Sequence, residues 1–121
     1  MNVNRLIDYV DHIQLAATDI CSFVEGLSKD DFVIDRRTQQ ALIMSLVIIG
    51  EAATKVMENY TAFTKAHPEK PWRHMQGMRN RMAHGYFDID LNIVWDTAQE
   101  WLPELLKTMP EVRQDAAGWN Q

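Results

Sequence analysis

Arg79, His84 and Tyr86 are the residues of this chain whose types and spacing could do chemistry together. They lie in the run Arg79-Asn80-Arg81-Met82-Ala83-His84-Gly85-Tyr86, which puts a fixed cation, an imidazole and a phenol within eight residues. Arginine offers a permanent planar cation suited to a phosphate, and histidine takes or gives a proton near neutral pH. Those are the parts needed to drive a ribose 2′-hydroxyl onto its neighbouring phosphate without a metal. The same residues have quieter readings. Arg79 suits a surface ion pair, His84 a partner for a helix C-terminal dipole, and Tyr86 a packed aromatic. Glu51 can pair with Lys55 one turn on, which its spacing favours, or reach the motif. Arg73, His74 and Arg81 read as residues of an RNA path or of the solvated surface. His12, His67, His74 and His84 show no ligand spacing and Cys21 is the single cysteine, so no metal and no other cofactor is expected.

Geometry sets a condition on the motif. Five residues along an ideal helix rotate a side chain by about 140°, so Arg79 and His84 face apart if one helix carries both. They converge only if the helix ends near Ala83, as Gly85 suggests, or if a second chain completes the site.

The elements that must position these residues are all helical. Leu6, Val10, Ile13, Ala17, Ile20, Val24 and Leu27 step by three and four, the seam of a packed helix. Gly26 reads as its stop, and Ser28-Lys29-Asp30-Asp31 as a capping signal. Asp35 can cap a second helix reaching about Tyr60, with a seam of Leu42, Leu46, Ile49, Ala53, Val56 and Tyr60. A second stripe, Ile43, Val47, Gly50 and Met57, lies beside that seam, so this helix is central or meets another subunit. Residues 61–70 read as a loop ending in His67-Pro68-Glu69-Lys70-Pro71, with Pro71 in the first turn of a short third helix over about 72–83. Trp72, Met75, Met78 and Met82 are its packing residues and Gly85 its stop. Asp88 or Asp90 caps a last helix with Leu91, Val94, Trp95, Ala98, Trp101, Leu102, Leu105 and Leu106 inward. Pro103 should kink or restart it. The pattern predicts an all-α, four- or five-helix up-down bundle over residues 1–114, with a flexible tail over 115–121.

Composition bounds the rest. At 121 residues and 46% hydrophobic content the chain makes one domain with one core. The longest apolar run, residues 41–50, is interrupted by Ser45 and falls far short of the ~20 residues of a membrane span. No signal peptide is visible, and a cytoplasmic location with no membrane partner is expected. The net charge of −5 argues against a general nucleic-acid coat protein. Residues 61–87 nevertheless hold Lys65, Lys70, Arg73, Arg79 and Arg81 against Glu69 as their one acid. Such a segment suits a local anionic partner or an ordinary solvated surface.

An arginine, four residues, a histidine, one residue and a tyrosine, preceded by Pro71-Trp72 and by Gly50-Glu51-Ala52-Ala53 on a long helix, resembles the HepT-like branch of the HEPN superfamily. The match runs from the first helix to the region 95–106. The resemblance implies a HEPN-like fold and a metal-independent ribonuclease toxin, a homodimer in which the motifs of two chains meet in a cleft. It implies that Arg79 binds the scissile phosphate of an RNA and that His84 is the general acid/base. Asn80 matches the polar residue that commonly follows the family's arginine, and Asn80, Arg81 and Tyr86 become substrate-binding or supporting residues. The implied partner is a cognate, MntA-like nucleotidyltransferase antitoxin, with Tyr86 the tyrosine such a partner adenylylates in some members. A non-catalytic module that holds a nucleotide or RNA for that partner is the alternative.

Overall fold

The computed structural model describes residues 5–119, and among them every regular element is helical. The elements are α1 (Arg5–Val24), α2 (Lys29–Val33), α3 (Arg36–Asn59), α4 (Thr61–Ala66), α5 (Trp72–His84), α6 (Leu91–Asp96) and α7 (Leu102–Ala117), with a 3-10 turn over Tyr86–Asp88 and a π turn over Thr97–Trp101. This is the expected all-α bundle. α3 packs against both α1 and α5, and α1 packs against α7.

Local chemistry sets the boundaries. Gly26 takes a φ of 79°, a backbone conformation side chains disfavour, and so turns the chain out of α1. Ser28 and Asp31 close a reciprocal cap: the Asp31 N–H donates to Ser28 Oγ (3.1 Å) and the Ser28 N–H to Asp31 Oδ2 (3.2 Å). At the head of α3 the Thr38 N–H and hydroxyl both donate to Asp35, at 3.1 and 2.6 Å. Those two bonds, the hydroxyl's first, hold the Asp35 carboxyl below the ordinary carboxylate range.

The predicted seams are the core except at their ends, where Leu27 and Tyr60 are only half-buried. Leu6, Val10, Ile13, Ala17, Ile20 and Val24 of α1 are buried, as are Leu42, Leu46, Ile49, Ala53 and Val56 of α3. Ile43, Val47 and Met57 are half-buried, while Met44 and Ile48 stay exposed at 59% and 38%. α3 is long and apolar enough to cross a membrane, contrary to the estimate from the run 41–50 alone, but half of that stretch is buried inside the bundle. Cys21 is half-buried, and desolvation pushes its thiol up.

Two features depart from the sequence reading, and one open alternative is decided. Residues 61–66 form α4, because Phe63 is fully buried and draws its turn onto the core. Of the two outcomes expected of Pro103, the helix restarts. The Leu102 N–H reaches back to the Thr97 carbonyl through a π turn, and α7 restarts with Pro103 in its first turn, where its missing N–H costs nothing. The stretch expected to fray from Asp115 is ordered as far as it is described: α7 runs to Ala117, Ala116 is buried, and Trp119 stands edge-on to Phe63 at 5.1 Å, while Asn120 and Gln121 lie outside the described residues. His67, not singled out by spacing, fastens this end. Its buried ring lies between Glu69 and Asp115, each 3.2 Å from a ring nitrogen, and its carbonyl accepts from Trp72 Nε1 at 3.0 Å.

Candidate active site

α5 carries the motif, and its four large apolar residues decide how it lies. Trp72, Met75, Met78 and Met82 are all buried, so they turn one stripe of the helix to the core. Arg79 follows Met78 and lies at the rim of that stripe, facing α3. The two helices approach closely at Gly50. A Cβ there would collide with the Cβ of Arg79 and sit 2.6 Å from the Met75 carbonyl oxygen. The absence of a side chain at residue 50 therefore sets the crossing and puts Arg79 over the next residue of α3, Glu51.

The guanidinium is held on two flanks. Its Nη1 donates to Glu51 Oε1 at 2.5 Å, while Nε and Nη2 both donate to Asn80 Oδ1 at 3.0 and 2.7 Å. The Arg79 side chain is only 21% exposed. Glu51 thus reaches the motif and does not pair with Lys55, whose ammonium lies 3.9 Å from Glu58. The i, i+4 rule misplaced this carboxylate, because a mostly buried guanidinium across the helix interface outcompetes an exposed lysine. A legible signal did precede it: a glycine inside an apolar helix, followed at once by an acid.

His84 is the last residue of α5, one position beyond the predicted end, and is exposed. It lines an open groove of about 560 Å³ with Asn80, Arg81, Asp88, Ile89 and Ile93. Gly85 ends the helix at a φ of −123°, so no left-handed turn folds the imidazole back toward Arg79. With α5 helical through both residues, Arg79 and His84 keep the divergence of about 140°. The convergence within one chain that an end near Ala83 would have allowed does not occur. Asn80 links the two: its amide oxygen accepts from Arg79, and it lies one turn from His84 on the same groove.

Tyr86 follows in the 3-10 turn, 60% exposed, its ring 4.2 Å from that of Phe87. Phe87 is 85% exposed and had no place in the sequence reading. Arg81 is an exposed cation on the His84 groove, whereas Arg73 and His74 lie at the far end of α5 beside Lys65 and Lys70. The His74 ring lies 5.0 Å from that of Trp101 at a tilt of 57°, and the residue stays exposed on the surface of α5. Among the described residues no three His, Cys, Asp or Glu side chains gather as a metal site.

The bundle and its motif define a helical protein with an arginine held by Glu51 and Asn80 and an exposed imidazole one turn from Asn80. The profile of the family described as ribonuclease HepT-like matches residues 13–112. Among curated proteins, the probable ribonuclease HepT of Thermococcus cleftensis is 36% identical over 107 residues, covering 88% of this chain and 94% of its own. A protein of Caldanaerobacter subterraneus provisionally named an RNase is 35% identical over 106 residues, covering 88% and 92%. Another provisionally named RNase, from Methanocaldococcus jannaschii, is 35% identical over 100 residues, covering 83% and 80%. No solved structure matches the chain. The chain belongs to the ribonuclease HepT-like family.

Proposed function

We propose that this protein is an endoribonuclease that cleaves RNA without a metal, with Arg79 binding the scissile phosphate and His84 moving the proton. The enzyme class follows from the family. The observation that carries the mechanism is the clamp on Arg79, a guanidinium fixed in direction by Glu51 and Asn80 beside the groove that holds His84. In the reaction the ribose 2′-oxygen loses its proton to an imidazole and attacks phosphorus. The bond to the 5′-oxygen breaks, and that oxygen takes a proton from an imidazolium. Arg79 offsets the charge that develops on the non-bridging oxygens.

The divergence of Arg79 and His84 on one helix favours a site completed by a second copy. An exposed apolar patch supports this: Met44 and Ile48 border a groove with Tyr9, Val47 and Ala52, and Glu51 lies on its edge. Two copies would supply two imidazoles, one as base and one as acid. In the wider reading the protein is a cytoplasmic toxin, and an MntA-like nucleotidyltransferase neutralises it by adenylylating Tyr86, whose exposure suits modification.

RNA cleavage with chelator present, comparing the parent with Arg79→Ala and His84→Ala, tests the core of the proposal. Each substitution should lower the rate by about 10² or more, and the fragments should end in 2′,3′-cyclic phosphate. Cleavage that survives His84→Ala, or that chelator abolishes, would overturn it. RNA binding without turnover by the parent would favour the non-catalytic module.

A further inference from the structure

We propose that Glu51 is a positioning residue for Arg79, holding its guanidinium at the crossing of α3 and α5 and offsetting part of its charge until an RNA phosphate arrives. The proposal rests on Arg79 as the phosphate-binding residue.

Three of the guanidinium's five hydrogens are engaged, one by Glu51 and two by Asn80. One hydrogen on each terminal nitrogen is left for an incoming pair of oxygens, the fork that matches a phosphate. Asn80 lies on the same helix as Arg79 and moves with it. Glu51 is the contact that ties the guanidinium to another element, so it fixes the cation's direction relative to the bundle. An incidental surface pair would join two mobile, solvated side chains. Here the arginine side chain is four-fifths buried while that of Glu51 is half exposed, and the helix approach allowed by Gly50 brings the carboxylate beside the guanidinium. The carboxylate also lies within reach of any phosphate that Arg79 grips, and like charges at that range repel. Glu51 therefore acts in two opposed ways. It raises the turnover of bound RNA by orienting Arg79, and it weakens the binding of RNA by its charge.

Glu51→Ala and Glu51→Gln separate these effects. The alanine variant loses both anchor and charge, and kcat should fall about 10-fold or more with no rise in KM. The glutamine variant keeps an acceptor oxygen at the same reach. It should hold kcat within about 3-fold of the parent and bind a non-cleavable 2′-O-methyl RNA several-fold tighter, roughly 3-fold or more. A kcat for Glu51→Ala equal to the parent's would reduce the contact to an incidental ion pair and overturn the proposal. So would equal losses in both variants accompanied by a lowered Tm, which would leave the carboxylate a purely structural role. A further readout needs no RNA: the Arg79 Nε–H resonance, assigned by its loss in Arg79→Lys, should be rigid in the parent and mobile in Glu51→Ala. A parent that cleaves no RNA but shows that rigid resonance would sink the ribonuclease mechanism and spare the clamp. A mobile resonance in an active parent would do the reverse.

Discussion

Replacing Gly50 by alanine tests the helix crossing on which the site depends, and its sign is opposite to the usual one. Inside an exposed helix, glycine to alanine stabilises by about 1 kcal/mol, because glycine loses more backbone freedom on folding. At residue 50 the added methyl would overlap Arg79 Cβ and lie 2.6 Å from the Met75 carbonyl oxygen, both on the rigid part of α5. Carbon contacts settle at about 3.5 Å or more, so α5 must retreat by roughly 1 Å. Overpacking of this kind costs about 1–3 kcal/mol. Set against the propensity gain, the net effect is a loss of up to about 2 kcal/mol, a Tm fall of as much as roughly 10 °C for a chain of this size. Gly77 is the internal control, since nothing lies within 4 Å of a Cβ built there. Gly77→Ala should raise Tm by a few degrees, from a gain of about 0.5–1 kcal/mol. Thermal unfolding of both variants reads the two signs directly. The same retreat displaces Arg79, and a 1 Å misplacement can cost about 10² in rate, so Gly50→Ala should lose RNA cleavage at temperatures where it remains folded. A Gly50→Ala protein stabilised as much as Gly77→Ala would refute the close approach of α3 and α5.

The remaining expectations concern pH, assembly and modification. The carboxyls of Asp35 and Glu69 are held below their ordinary range, Asp35 by the Thr38 hydroxyl and N–H, Glu69 first by its own N–H and then by His67. Their contribution to stability is therefore complete above the unfolded value of about 4 and is lost as pH falls through the lowered folded values. The urea midpoint should drop below about pH 4, less steeply in Asp35→Ala, and identical slopes would contradict the capping role. Met44→Glu with Ile48→Glu puts two charges on the exposed apolar face of α3. The protein should stay folded but become monomeric by light scattering and lose cleavage; an active monomer would refute the composite site. Co-expression with the cognate nucleotidyltransferase and ATP should add adenylyl mass at Tyr86 and none in Tyr86→Phe. Suppressed toxicity without added mass would mean that the partner inhibits by binding.

Much of this protein was determined within a few residues of sequence. The seams of α1, α3 and α5 follow from apolar spacing, and the caps at Ser28, Asp35 and Asp90 from oxygens that reach only two or three residues along the chain. The motif was legible too, because the identities of Arg79, His84 and Tyr86 state their chemistry before any folding. The tertiary structure alone decided what those residues meet. Glu51 and Arg79 are 28 residues apart, and their pairing depends on the depth at which α3 and α5 cross, which Gly50 sets. α4 is helical because Phe63 finds a buried place, and α7 outlasts its expected end because Ala116 is covered and Trp119 packs on Phe63. His67 is fixed by Asp115, a residue of α7 far from it in sequence. Periodicity and capping record what a helix does with its own atoms, whereas these contacts arise only when helices distant in sequence share one interface.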